Sequence, residues 1–178
     1  MVDAQTVGVL VTAASVTVAA IYYILTLRTN QRNLKMNLET RQTQLFMQVF
    51  QRFQEPDFTK QWNLLMNREW KDLDDYRKKY SDPGPDGASL LSVQTYFEGV
   101  AVLLMKGMID VDLVYELMPT MVTTFWKKYE PLVRLRRDEI NYPQYFRPVE
   151  YLSDRMVEHA HMRGDPVLFS YTSKQDVW

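Results

Sequence analysis

The residues in this sequence that could do chemistry are one isolated glutamate, two histidines and a late group of basic side chains. Glu98 is the only charged residue between Ser89 and Met105. A carboxylic acid in apolar surroundings can have a raised pKa and act as a general acid, but such a carboxylate more often pairs with an arginine. We therefore predict a structural ion pair between Glu98 and one arginine of a later helix, from three candidates: Arg134, Arg136 and Arg137.

The same arginines belong to a basic cluster between residues 127 and 137. Lys127 and Lys128 precede them, and Glu130 is the only acidic residue in that stretch. A cluster of this kind can bind a phosphate or the head group of an anionic lipid. A solvated helix face explains the same pattern, and it is the interpretation that we prefer.

The only histidines are His159 and His161. Residues two apart on a helix point to nearly opposite sides, whereas helical metal ligands are spaced three or four apart. The sequence has no cysteine, which excludes disulfides, thiolate zinc sites and a cysteine nucleophile. It also has no glycine-rich phosphate loop and no nucleophile elbow. We therefore predict no metal site, no cofactor and no enzymatic activity.

The composition is that of a folded protein. The 178 residues are 46% hydrophobic, which is too high for a disordered chain. Lys and Arg total 21 against 22 Asp and Glu. Because nucleic-acid binders usually carry a basic excess, this balance argues against a nucleic-acid partner.

An uncharged segment near the N-terminus has the length of a membrane span. No charged residue occurs from Ala4 through Leu27, 24 residues that as a helix would extend about 36 Å. A cleaved signal peptide would begin with basic residues and end at a small-residue site, but Asp3 precedes the segment and Ile24-Leu25-Thr26-Leu27 ends it. We predict a retained transmembrane anchor over residues 1–27, in contact with the lipid bilayer.

The flanking charges predict the orientation of this anchor. Four basic residues follow the segment, and they are Arg28, Arg32, Lys35 and Arg41. Glu39 is the only acidic residue in the same stretch. The positive-inside rule places this side in the cytoplasm, and Tyr22 and Tyr23 fit the same membrane interface. The same basic residues are also expected to attract anionic lipid head groups. The predicted localisation is a single pass through the cell membrane, with the N-terminus outside and residues 28–178 cytoplasmic.

Small residues recur along one side of the anchor, a pattern that lets membrane helices approach closely. They are Ala4, Gly8, Thr12, Ser15 and Ala19. Residues 28–44 contain no Pro or Gly, so the helix can continue as a polar stem on which Leu34 and Leu38 are among the few apolar positions. We expect self-association through the anchor and this stem.

From Leu45 onward the apolar residues recur at helical spacing, which predicts an all-α bundle of four or five helices over residues 45–163. Pro56, the Ser81–Gly87 stretch, Gly107, Asn141-Tyr142-Pro143 and Gly164 are the expected breaks. Asp57 and Asp110 are expected to cap helices, Asp72–Lys79 to be a solvated surface, and Pro131 to kink or end a helix. Residues 164–178 form a tail that could fray or dock on a neighbour.

One stretch of the bundle is similar to a known family. Residues 96–110 contain an aromatic pair, Glu98, a small residue, an apolar run and the ending Gly-x-Ile-Asp, and Leu113-Val114-Tyr115, Trp126 and the basic turn at 134–137 follow. This pattern resembles a family of prokaryotic, single-pass, membrane-anchored helical proteins known only as a domain of unknown function. The resemblance covers the anchor and most of residues 45–160. It implies a fold and a topology, and no activity or catalytic residues.

Three hypotheses about function remain open at this point. The first is a non-enzymatic scaffold that forms a homo-oligomer in the membrane. The second is an accessory subunit of a larger membrane complex, such as a transporter or a membrane enzyme. The third, which we favour least, is a sensor of an anionic ligand that uses Glu98 and the basic cluster.

Overall fold

The computed structural model describes residues 3–80 and 85–166, with the backbone alone at 85 and 86. Over these residues the chain forms seven helices and no strand. The helices are α1 (Ala4–Gln54), α2 (Pro56–Met66), α3 (Leu73–Tyr80), α4 (Pro85–Met105), α5 (Val111–Leu117), α6 (Pro119–Glu139) and α7 (Arg147–Arg163). The predicted all-α fold with a long N-terminal helix is confirmed. Residues 167–178 of the predicted tail, which include the apolar run Val167-Leu168-Phe169, lie outside the described residues.

The chain divides into two compact units, residues 1–41 and residues 42–178. The first contains the greater part of α1. The second contains the end of α1 and the six helices that follow it. Of these six, α3 and α5 have only eight and seven residues, so the larger unit consists mainly of four longer helices and the end of α1.

Prolines and glycines define most helix ends, as the sequence predicts. Pro56 and Pro119 occupy the first turns of α2 and α6, where a missing N–H costs nothing. After α4, Gly107 adopts a left-handed φ of 64°, and Met108 donates from its backbone N–H to the carbonyl of Leu103 at 2.9 Å. This hydrogen bond closes the helix end, and it requires a residue that tolerates positive φ.

The two predicted aspartate caps have different outcomes. Asp110 caps α5, because its carboxylate accepts a hydrogen bond from the backbone N–H of Asp112 at 2.8 Å. The prediction for Asp57 is wrong: Glu55 occupies the cap position of α2 and makes no side-chain cap bond. Pro56 takes the first helical position, so Asp57 lies inside the first turn, where its charge favours the helix dipole.

Three other helix boundaries differ from the prediction. The stretch expected to be only a solvated surface contains α3, which Asp72 caps by accepting from the N–H of Asp75 at 2.7 Å. Part of the break expected over Ser81–Gly87 is helical, because α4 already begins at Pro85. Pro131 does not end α6, which continues to Glu139 because buried residues hold it on both sides of the proline.

The core of the larger unit is rich in aromatic rings. Phe46, Phe97, Phe125 and Tyr129 are almost completely buried. Phe97 and Phe125 have ring centroids 5.3 Å apart, and Phe125 lies 4.9 Å from Tyr129. Helix α7 packs against α4, α5 and α6, and α2 packs against α4. The end of α1 thus contributes buried side chains to the same core as α4 and α6.

Candidate membrane span and interaction surfaces

The uncharged N-terminal segment is helical throughout, and nearly all of its side chains are exposed. Helix α1 contains a window that is long and apolar enough to cross a membrane, and no part of that window is buried. Leu10, Val18 and Tyr22, for example, expose 62%, 66% and 73% of their surface. Helices with this length and composition serve as membrane spans or signal sequences.

The predicted small-residue stripe lies on this exposed helix, at Ala4, Gly8, Thr12, Ser15 and Ala19. Its hydroxyl groups are satisfied within the helix: Thr12 donates to the carbonyl of Gly8 at 2.9 Å, and Ser15 donates to that of Val11 at 2.8 Å. Hydroxyls that bond their own helix carry a low cost in lipid. A Cβ atom added at Gly8 would meet no neighbouring atom, so the stripe is open to a partner helix.

The aromatic and basic residues that follow are exposed as well. They are Tyr22, Tyr23, Arg28, Arg32, Lys35 and Arg41. Lys35 pairs with Glu39 one turn later, with an N–O distance of 3.8 Å. Because both side chains are largely exposed, this pair contributes little to stability.

The ion pair predicted for Glu98 is not formed. Glu98 is half-buried, and its carboxylate accepts a hydrogen bond from Gln94 at 3.0 Å. Among the described residues, all three candidate arginines pair with other carboxylates. Arg134 reaches Glu130 at 2.6 Å, Arg136 reaches Glu139 at 2.7 Å, and Arg137 reaches Glu150 at 2.9 Å.

Glu150 is the carboxylate that binds two arginines where α6 and α7 meet. It is buried at the start of α7, and it accepts hydrogen bonds from Arg137 and Arg147, each at 2.9 Å. Arg137 also donates to the carbonyl of Tyr145 and lies over the ring of Trp126. Burial alone would raise the pKa of Glu150, but the hydrogen bonds from the two arginines outweigh it and hold the pKa below its ordinary value. The arrangement joins α6 to α7.

The lysines of the basic cluster also differ from each other. Lys127 is exposed, whereas Lys128 is half-buried and donates to the carbonyls of Met66 at 2.9 Å and Arg68 at 2.7 Å. Burial lowers the pKa of Lys128 below its ordinary value. Lys128 thus caps the end of α2, where the last carbonyls of a helix lack partners. Because its arginines are bound to carboxylates, the basic cluster makes mainly structural contacts and is not an open anion site.

The two histidines lie in different surroundings, as their spacing predicts. His161 is exposed, and His159 is buried with its ring 4.7 Å from that of Tyr115. Nε2 of His159 lies 2.9 Å from Oδ1 of Asp112, but the geometry is not that of a hydrogen bond. Within the described parts of the chain, no three His, Asp or Glu side chains come together as a metal site requires.

One helix of the larger unit presents an outer side without charge. The exposed positions of α4 recur every three or four residues, and we call them the α4 face: Ala88, Leu91, Thr95, Gly99 and Val102. Leu91 exposes 63% of its surface, and Met105 and Met108 continue the apolar exposure at the helix end. Residues 87–105 have the length and hydropathy of a membrane span, but a third of this stretch is buried, as in a core helix.

From the sequence, Lys128 is predicted only as part of the basic cluster, and neither Glu150 nor the α4 face is singled out. Glu150 stands three residues after Arg147 at a helix start, a spacing that puts both on one side of the helix. That spacing is the only local signal for the contacts of Glu150, since Arg137 comes from another helix. For the α4 face, the signal is the scarcity of charge over residues 87–105.

A comparison with known protein families matches residues 9–156 to a family described as a domain of unknown function, DUF4760. The match covers most of the chain. This chain belongs to the DUF4760 family. The expected resemblance to a domain of unknown function is thereby confirmed. No curated protein and no solved structure is similar enough to the DUF4760 chain to count as a match.

Proposed function

We propose that this DUF4760 chain is a non-enzymatic, membrane-anchored interaction protein that self-associates through its anchor and stem. The observation that carries the proposal is the segment from Ala4 to Leu27, which is uncharged, helical and exposed along almost its whole length. Exposed apolar surface costs about 25 cal/mol per Å² in water. A bilayer is the solvent in which such a segment is stable, and there the helix satisfies its own backbone groups.

The proposed orientation rests on the charges next to the span. Arg28, Arg32, Lys35 and Arg41 follow it, while Asp3 precedes it. The positive-inside rule then gives an N-terminus outside the cell and a helical unit in the cytoplasm. Tyr22 and Tyr23 are exposed near the basic end, as interfacial aromatic residues are.

Self-association rests on the open stripe of the span and on the thin apolar line of the stem. Gly8 leaves space for a second helix, and the neighbouring hydroxyls need no partner of their own. Leu34 and Leu38 expose 63% and 59% of their surface on a stem whose other residues are mostly polar. Two copies that pack along this line would cover both leucines.

Cysteine labelling tests the topology, because the chain has no cysteine of its own. We expect Asp3→Cys to react with a membrane-impermeant maleimide in intact cells, and Arg155→Cys to react only after the membrane is permeabilised. The reverse pattern would refute the orientation. Recovery of the chain in the soluble fraction would refute the anchor.

Oxidative crosslinking tests self-association. We expect Leu34→Cys and Leu38→Cys to form disulfide-linked dimers in membranes. Met36→Cys is the matched control, because Met36 is also exposed but lies on the other side of the helix. Equal crosslinking at all three positions would indicate random collisions and would contradict a specific stem contact.

A further inference from the structure

We propose that the α4 face is a second self-association surface, on which the α4 face of another copy of this chain packs about a twofold axis near Gly99. The proposal rests on the proposed function, because the shared membrane anchor supplies the proximity that this contact needs. It adds a surface in the larger helical unit to the surfaces of the anchor and stem.

The first observation is that the α4 face differs in charge from the outer sides of the other helices in the larger unit. Those sides carry exposed ion pairs, such as Lys60 with Asp57 on α2, Lys79 with Asp75 on α3 and Arg155 with Glu158 on α7. Among the described residues of α4, Glu98 is the only charged one, and it is half-buried against Gln94. An exposed apolar helix face of this kind is typical of an interaction surface.

The second observation concerns Gly99, which lies in the middle of α4 and is exposed. Its φ is not left-handed, and a Cβ atom added to it would meet nothing within 4 Å. Neither the backbone nor the packing of this chain therefore requires a glycine there. A glycine does allow the backbone of a second helix to approach closely, and its position marks where two helices would cross.

Charge complementarity selects the occupant. An occupant that covers an uncharged face must itself be uncharged, because a charge buried there would have no partner. The α4 face of a second copy meets this condition. In an antiparallel pair that crosses at Gly99, Thr95 of each copy lies opposite Val102 of the other, and Leu91 lies near Met105. An isologous contact of this type is the commonest in homo-oligomers.

The size of the face explains why the membrane matters. The α4 face extends over the 15 residues from Ala88 to Val102, so it is about 22 Å long and one side chain wide. The area of so narrow a strip is less than the roughly 800 Å² per partner of a stable interface. Two copies anchored in the same membrane meet at a high effective concentration, which lets such a weak contact form.

The test is disulfide crosslinking of the full-length Gly99→Cys chain in membranes, where a twofold contact brings the two Cα atoms within about 7 Å. We expect most of this variant to become a dimer on oxidation. Glu158→Cys, on the exposed and charged side of α7, is the control and should stay monomeric. Adding Thr95→Lys to the Gly99→Cys chain should abolish the dimer, because it places a charge in the contact without touching the core.

Each outcome separates this inference from the proposed function. If Leu34→Cys crosslinks and Gly99→Cys does not, the stem association stands and the α4 contact is refuted. If Gly99→Cys and Glu158→Cys crosslink equally, the contact is a random collision and is also refuted. If neither Leu34→Cys nor Gly99→Cys crosslinks, both proposals fail. If a photoreactive label attached at Gly99→Cys captures lipid or a different polypeptide, that molecule is the occupant of the α4 face and the second copy is not.

Discussion

Glu150 accepts two arginine hydrogen bonds at the start of α7, and this single carboxylate organises the charged contacts between α6 and α7. The sequence instead predicted Glu98 as the carboxylate that pairs with an arginine, because Glu98 is the isolated acid in an apolar stretch. Which acid an arginine reaches depends on which helices pack together. Arg137 lies on α6, whose neighbour is α7, so its partner comes from there. Sequence spacing alone contains no information about that packing.

Replacing Glu150 tests this contact through its pH dependence. At pH 7 we expect Glu150→Gln to lower the free energy of unfolding by about 1.5 to 3 kcal/mol, the usual value of hydrogen bonds to a charged group. The folded-state pKa of Glu150 lies below its ordinary value of 4.5. Its stabilising effect is therefore complete above that value, and it is lost as the pH falls through the folded-state pKa.

The measurement is denaturant unfolding of the full-length chain in mild detergent at pH 7 and pH 3. The difference between wild type and Glu150→Gln should be smaller at pH 3 than at pH 7, because pH 3 lies below the ordinary pKa of 4.5, where proton binding begins to favour the unfolded chain. A difference of the same size at both pH values would show that the ionised form of Glu150 is not what stabilises the fold.

Gly99 and Gly107 give a matched pair of glycines on and next to α4. A Cβ atom at either position meets open space, but only Gly107 has a left-handed φ, of 64°. Gly99→Ala should raise the free energy of unfolding by about 0.5 to 1 kcal/mol, because alanine is the better helix former. Gly107→Ala should lower it by roughly 1 to 2 kcal/mol through backbone strain. Thermal melts of both variants in the same detergent check this, and destabilisation by Gly99→Ala would show that the fold itself needs this glycine.

At the scale of the helices, Lys128 links α6 to the end of α2. Its ammonium donates to two backbone carbonyls there, and its position near the ring of Trp70 adds a cation–π contact. Tyr129, the next residue, donates to the carbonyl of Leu65 at 3.1 Å. Two neighbouring side chains of α6 thus donate to backbone carbonyls at, and just after, the end of α2.

Removing the charge of Lys128 should loosen this link. Lys128→Met keeps the apolar stem but leaves two carbonyls without their donor, and we expect a loss of about 1 to 3 kcal/mol in the free energy of unfolding. Lys127→Met, at the exposed neighbour, should change it by less than about 0.5 kcal/mol. Denaturant unfolding compares the two, and equal effects would contradict the capping role of Lys128.

The helix boundaries show what the sequence can and cannot predict at this scale. Gly107, Asp110 and Gly164 act through local backbone geometry, so the breaks at these residues could be predicted. Helix α3 could not, because its eight mostly charged residues fold against Trp70 through Tyr76, a contact between separate segments. The candidate surfaces follow the same division: the exposed span is visible in the local sequence, whereas the Glu150 cluster is built from two helices.

At the scale of the whole molecule, we propose that the larger helical unit lies in water and that residues 4–27 lie in lipid. The described residues of the larger unit, 42–80 and 85–166, surround an aromatic core and carry ion pairs on the outer sides of α2, α3 and α7. Residues 4–27 have no buried side chain and no charge. Membership of DUF4760 names the family without assigning an activity, so the account of function depends on what these surfaces contact.

The measurement that tests the central claim most directly is native mass spectrometry of the full-length chain, extracted from membranes in mild detergent. Our account predicts a single homo-oligomeric mass, an integer multiple of 21.1 kDa with bound lipid. A complex whose mass requires a different polypeptide would make this chain an accessory subunit of that complex. A monomer under all mild extraction conditions would contradict self-association outright.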